Sequence, residues 1–260
     1  MYPKLISFGE TFLPSYGAMV ALAFLAGLYV TTRLARRVQL NEEKVTNLVI
    51  YCALMGLLGA KLFMVLFDLP SYLSHPAELF SMATLQAAGV YQGGFLLALG
   101  FAVYYMKKQA LPALLTIDVF SPGLALGHAI GRIGCFLAGC CYGEKCDLPW
   151  AVHFHDVEAY KLTGVPLEVG LHPTQLYESA FNFALFALLY RMFPMQRPAG
   201  QLFATYLILY SVFRFSVEFV RHHEQAVNGG LSNTQWISLV TLAAGVLLWQ
   251  RVQRAGLTAA

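Results

Sequence analysis

Charge is what this sequence has least of. Only 12% of its 260 residues are Asp, Glu, Lys or Arg, against about 25% in soluble domains. With 58% of residues hydrophobic, too little polar surface exists to cover a water-exposed domain, so the chain reads as a membrane protein. The five cysteines, Cys52, Cys135, Cys140, Cys141 and Cys146, contain no CxxC pair, which excludes a zinc knuckle or a thioredoxin-like motif and leaves no expected metal site. A net charge of +3 without a basic stripe gives no footprint for nucleic acid. Internal repeats, low-complexity tracts and linkers are also missing. Residues 1–260 therefore read as a single integral membrane domain, and a transporter built from inverted repeats is disfavoured.

Long apolar windows recur at Tyr16 to Thr32, Val45 to Phe67, Leu85 to Met106, Val119 to Tyr142, Thr174 to Tyr190, Leu202 to Val220 and Thr234 to Trp249. Each is long enough to cross roughly 30 Å of hydrocarbon as a helix. The pattern predicts an all-α polytopic protein of about seven transmembrane helices. The first window is read as a helix rather than a cleaved signal, since a signal has a shorter apolar core and precedes soluble sequence. Breakers separate the windows at Pro70 and Pro76, Pro112, Pro149 and Pro166, Pro194 and Pro198, and Asn228-Gly229-Gly230.

Basic residues set the orientation. Arg33, Arg36, Arg37, Lys44, Lys107, Lys108, Arg191, Arg197, Arg251 and Arg254 fall in the first, third and fifth connections and the C-terminal tail. Lys4, Lys145, Lys161 and Arg221 fall on the other side. The N-terminus is thus expected outside and the C-terminus in the cytoplasm, with residues 143–173 as the one substantial outer loop. Lys61, Arg132 and Arg214 remain inside the windows. A charge at a helix centre costs about 2.5–3.5 kcal/mol on insertion scales, so a working site is the default reading.

In the fourth window, helical spacing puts His128, Arg132 and Cys135 on one face. The surrounding glycines admit a close neighbour, and a planar guanidinium there suits a phosphate or carboxylate. Arg214, Glu218 and Arg221 repeat the pattern in the sixth window. Alone, Arg214 and Glu218 read equally as a structural ion pair; a second buried arginine on another helix shifts the reading to an anionic ligand. His172-Pro173-Thr174-Gln175-Leu176-Tyr177-Glu178 opens the fifth window, with Pro173 suited to a first helical turn. Gln92-Gly93-Gly94 reads as a flexible polar break in the third.

These motifs resemble the prolipoprotein diacylglyceryl transferase family. The resemblance rests on Gly131-Arg132-Ile133-Gly134-x-Phe136 with Gly143, on His172-Pro-x-Gln-Leu-Tyr-Glu178, and on Arg214-Phe-x-Val-Glu218-Phe-x-Arg221. Tyr16-Gly17, Asp118 and Ser232-x-x-Gln235 extend it over nearly the whole chain. It implies a multi-pass enzyme of the bacterial inner membrane that moves a diacylglyceryl group from phosphatidylglycerol to the lipobox cysteine thiol of exported preprolipoproteins, without a cofactor. Arg132 and Arg214 would hold the phosphate, and Glu218 and Arg221 would orient them. Tyr16, Gln92, Gly93, Gly94, His172, Gln175, Tyr177, Glu178 and Gln235 would line the site. The alternative is a divergent member that uses the same anion cavity for another phospholipid or acceptor, or that binds and moves lipid.

The chain departs from the family where Asn, Asn and Glu are replaced by Cys135, Ala138 and Cys140, and where a His is replaced by Gln92. Glutamine cannot take up a proton at physiological pH. His128 is the expected substitute base, with a buried, hydrogen-bonded histidine as its structural alternative, and His172 is the next candidate. Cys52 and Cys135 read as buried small residues. A bridge from Cys146 to Cys140 or Cys141 is expected in a compartment that permits disulfides. Lys61 either faces the cavity or snorkels to the interface.

Overall fold

The computed structural model describes residues 3–8, 11–81, 84, 89–193, 195, 197–221 and 230–258. Residues 85–88 of the third window, Pro194, and Asn228-Gly229 of the last breaker lie outside the described residues.

The chain is mostly helical. Its helices are α1 (Ser15–Arg37), α2 (Glu42–Phe67), α3 (Leu69–Ser74), α4 (Tyr91–Lys108), α5 (Ala113–Ala138), α6 (Val157–Thr163), α7 (Thr174–Met192), α8 (Gln201–Val217) and α9 (Asn233–Thr258). Among the described residues, each apolar window overlaps one of the long helices. By length and composition, α1, α2, α5 and α8 with its following turn are apolar enough to cross a membrane. The all-α expectation needs one correction. Two short antiparallel pairs are present, β1 (Lys4–Phe8) with β2 (Thr11–Pro14), and β3 (Val152–His153) with β4 (Gly170–Leu171). Strands this short carry no periodicity for a sequence reading to detect.

The contacts divide the chain into two units, one of residues 32–116 and the other of residues 1–31 and 117–260. In the first unit, α2 packs on α4 through glycines. A Cβ on Gly93 would lie 2.6 Å from the Gly59 carbonyl oxygen, and one on Gly94 would lie 2.7 Å from that of Gly56. Such backbone approach lets apolar helices associate without a hydrophobic driving force. Residues 92–94 are therefore not a break: they form the first turn of α4, with Gln92 exposed and both glycines buried against α2. Lys61, the third cation within the apolar windows, donates from Nζ to the Thr84 carbonyl at 2.6 Å.

In the second unit, α8 packs on both α7 and α9. Asp118, buried in α5, accepts hydrogen bonds from the Gly200 N–H at 2.7 Å and the Phe203 N–H at 2.8 Å. It thereby satisfies amides at the start of α8 that have no intrahelical partner. Asp118→Ala leaves both N–H groups buried and unpaired, and is expected to cost about 1–3 kcal/mol, read as a lowered midpoint of thermal unfolding in detergent.

The segment 143–173 has a core of its own. Phe154, Ala159, Val165 and Leu171 are buried together against Phe136 and Tyr142. Asp156 caps α6 by accepting from the Glu158 and Ala159 amides, and Gly164 ends it in the left-handed conformation. Lys4 of β1 pairs with Glu158 of α6 at 2.8 Å. Hydrogen bonds from Lys4 and Lys161 hold the Glu158 carboxyl below the usual carboxylate range. This pair fastens the N-terminal strands to the segment.

Candidate active site

Glu178 is the centre of the site. It lies one turn into α7 and is completely buried. Its Oε2 is 2.9 Å from Arg132 Nη2, and its Oε1 is 3.4 Å from Arg221 Nη1. His128 Nε2 lies 3.9 Å from the same carboxylate and accepts a hydrogen bond from Arg132 Nε at 3.3 Å. That bond places the His128 proton on Nδ1. His128 also packs on Tyr210 of α8, with ring centroids 5.3 Å apart.

A second carboxylate stands beside the first. Glu218 opens a 3-10 turn, Glu218–Val220, at the end of α8. It is paired with Arg214, one helical turn earlier, and accepts a 2.8 Å hydrogen bond from Ser232 Oγ. Ser232 also starts α9, since Gln235 N–H donates to its Oγ and Gln235 Oε1 accepts its N–H. This is the reciprocal capping arrangement that Ser-x-x-Gln spells. The resemblance implies Gln235 as a cavity residue and gives Ser232 no role. In the structure Gln235 secures the helix start, and Ser232 reaches the carboxylate. The Ser-x-x-Gln spacing ahead of an apolar run was the signal that identifies the cap.

Gly143 explains how Arg221 is held. Its N–H donates to the His172 carbonyl at 2.9 Å, and Glu144 N–H donates to the Val220 carbonyl at 2.9 Å. Gly143 also bridges to Arg221. A Cβ at residue 143 would lie 2.4 Å from the Val220 oxygen, so only glycine lets three distant segments meet there. His172 Nδ1 is 3.3 Å from Tyr177 Oη, which accepts from Trp150 Nε1 at 2.8 Å. Gln175, fully buried, donates from Nε2 to the Cys140 carbonyl at 2.8 Å. Tyr16 lies over Gly134, with Cδ2 3.5 Å from where a Cβ would stand.

His128, Arg132, Glu178 and Arg221 are thus in contact, and the Arg214–Glu218 pair adjoins them through the 3-10 turn. Gln92, Gly93 and Gly94 belong to the other unit. The expected disulfide is absent, because all five cysteines are free. The Cys146 N–H donates to the Gly170 carbonyl at 3.0 Å, while the Sγ atoms of Cys135, Cys140 and Cys141 gather at the end of α5.

The chemistry open to this arrangement follows from its charges. Three guanidinium groups face two buried carboxylates, which leaves a net cation in a confined, largely apolar setting. Such a site attracts an anion and stabilises negative charge that grows during a reaction.

Comparison with known proteins bears on which anion. The sequence model for prolipoprotein diacylglyceryl transferase matches residues 3–251. A phosphatidylglycerol-prolipoprotein diacylglyceryl transferase of Clostridium tetani is 33% identical over 250 residues, covering 96% of this chain and 97% of that protein. A protein of the same name from Bordetella avium is 34% identical over 257 residues, covering 95% and 93%. One from Synechococcus elongatus is 33% identical over 251 residues, covering 94% and 85%.

Proposed function

The chain belongs to the prolipoprotein diacylglyceryl transferase family, and on that premise we propose that it moves the diacylglyceryl group of phosphatidylglycerol onto the lipobox cysteine thiol of exported preprolipoproteins, at the site centred on Glu178. The acceptor sulfur bonds to the terminal glyceryl carbon. The bond from that carbon to the phosphate oxygen breaks, and its electron pair leaves with glycerol phosphate while the thiol proton passes to a base. A phosphodiester with one negative charge becomes a monoester that develops a second. The observation that carries the reading is the excess of guanidinium over carboxylate among Arg132, Arg214, Arg221, Glu178 and Glu218. A fixed excess of positive charge favours the departing group more than the bound substrate, which is what lowers a barrier.

In this reading Arg132 and Arg214 hold the phosphate, while Glu178 and Glu218 aim them from behind. Arg221 balances Glu178. Tyr16, His172 and Tyr177 line the approach, and Gln175 and Gln235 secure the segments that carry the charges. His128 has a double part. Its Nε2 orients Arg132, and it becomes free to take the thiol proton when the phosphate draws Arg132 forward. We expect His128→Ala to lower turnover by about 100-fold, with His128→Gln losing as much and His172→Ala less than tenfold. Rescue by the glutamine, which keeps an acceptor for Arg132, would assign His128 to positioning alone.

The chain is read further as one domain crossing the bacterial inner membrane seven times, N-terminus outside. The Lys4–Glu158 pair supports a common side for the N-terminus and segment 143–173. Side chains such as Leu57, Phe67, Ile237 and Val240 are more than half exposed on the long helices, as lipid-facing residues are. The deciding experiment is complementation of cells depleted of their own diacylglyceryl transferase, scored by the mobility of a model lipoprotein. Restored lipidation is the expected result. A well-folded chain that leaves the lipoprotein unmodified would instead point to another phospholipid or acceptor.

A further inference from the structure

The structure assigns to Cys135, Cys140 and Cys141 a binding site for a thiophilic d10 cation, Cu(I) or Zn(II), beside the arginine cluster. The three Sγ atoms lie within 4.8 Å of one another, and among the described residues no other group of three or more His, Cys, Asp or Glu gathers so closely. Metal–sulfur bonds of about 2.3 Å in a trigonal set hold sulfurs roughly 4.0 Å apart. The thiols therefore need to close by less than about 1 Å, well within the reach of side-chain rotation.

The site is built rather than incidental. Gly139 turns the end of α5 with φ +81, and Cys141 itself is held at φ +63, a conformation that a residue with a Cβ adopts only when its surroundings impose it. The first turn of α7 imposes it here. Thr174 Oγ1 donates to the Cys141 carbonyl and Gln175 Nε2 to the Cys140 carbonyl, both at 2.8 Å. Cys140 N–H donates back to the Cys135 carbonyl at 3.1 Å. Gln175, whose Nε2 holds this turn, is fully buried, and its Oε1 has no hydrogen-bond partner among the described residues.

Ligand softness and charge agree. An all-sulfur set selects Cu(I) or Zn(II) over hard cations. As each sulfur binds, its thiol proton goes to solvent, and no oxidant or reductant is needed. Three thiolates with Cu(I) carry two negative charges and with Zn(II) one, and the cations that act on Cys141 are Arg221 and Arg132. The one positive charge left over in the arginine cluster offsets the Zn(II) centre and half of the Cu(I) centre, so a bound ion and the lipid phosphate draw on the same charge. The inference does not depend on the transferase reading, because its test uses no substrate.

The purified full-length chain, reduced and held in detergent, is titrated anaerobically with Cu(I) and, separately, with Zn(II). Cd(II) serves as a probe whose sulfur-to-metal charge-transfer absorption reports thiolate ligation. One ion per chain is expected, together with protection of three thiols from maleimide. Both signals should vanish in the triple variant C135S/C140S/C141S and persist in C52S/C146S. Should the triple variant fold poorly, each single serine variant with wild-type circular dichroism is expected to weaken binding at least tenfold. Binding of only one of the two ions supports the site and names its occupant. Absorption that survives in the triple variant, or wild-type thiols that stay fully reactive with every ion, overturns it.

Discussion

Arg132→Ala and Arg214→Ala each lower diacylglyceryl transfer by about 100- to 1,000-fold, with the protein still present in the membrane. That range is what the loss of a single preorganised donor to developing negative charge costs in a water-poor site, about 2.7–4 kcal/mol. Two features make the effect specific. Both side chains are nearly buried, with 15% of Arg132 and 11% of Arg214 exposed, so water cannot substitute for the lost guanidinium. Each is also aimed by a buried carboxylate, so lysine, a point charge without the planar fork, should recover only part of the loss. The measurement is turnover of a lipobox peptide with phosphatidylglycerol in detergent, at matched protein levels. Activity within tenfold of wild type in either alanine variant removes that arginine from the phosphate clamp.

Glu178→Ala acts first on stability. The carboxylate is wholly buried and contacts both Arg132 and Arg221, so its removal leaves two guanidinium groups without their counter-charge inside the protein. Breaking a buried ion pair from one side costs about 3–5 kcal/mol, which is a large part of the stability of an ordinary domain. The expected outcome is a steep fall in membrane abundance and in the unfolding midpoint. Glu178→Gln keeps the shape but not the charge and should suffer nearly as much. By contrast, Glu178→Ala combined with Arg221→Ala removes one of the stranded charges and should recover part of the loss. Full stability in the single variant would show that the two arginines find other partners and that Glu178 does not organise the site.

How much of this was legible beforehand depends on sequence distance. The long helices were legible because twenty apolar residues in a row mean one thing in any context. The Arg214–Glu218 pair was legible because i and i+4 share a helix face. Glu178 was identified as a polar residue lining the cavity, yet not as the residue that joins Arg132 to Arg221. Its partner Arg221 lies 43 residues away, and no local period reports such a pairing. Gln92-Gly93-Gly94 misled for a related reason. Two glycines suggest a flexible break when read alone, but with Gly56 and Gly59 on a facing helix they become a surface for close packing. The cysteines were not legible from compartment: a setting that permits disulfides points to Cys146, whereas the fold brings together the thiols of Cys135, Cys140 and Cys141.

The span from Arg132 to Arg221 also has a consequence in time. Translation proceeds at about 5–20 residues per second, so α5 is synthesised seconds before Glu178, and Arg221 follows seconds later still. During that interval α5, apolar enough to cross a membrane, carries Arg132 about two turns from its C-terminal end with no acidic partner, at a cost below that of a central charge. Assembly of the arginine–glutamate cluster is thus a late event in biogenesis. Truncations that end before residue 178 should accumulate as chains whose α5 is incompletely inserted and open to membrane quality-control proteases.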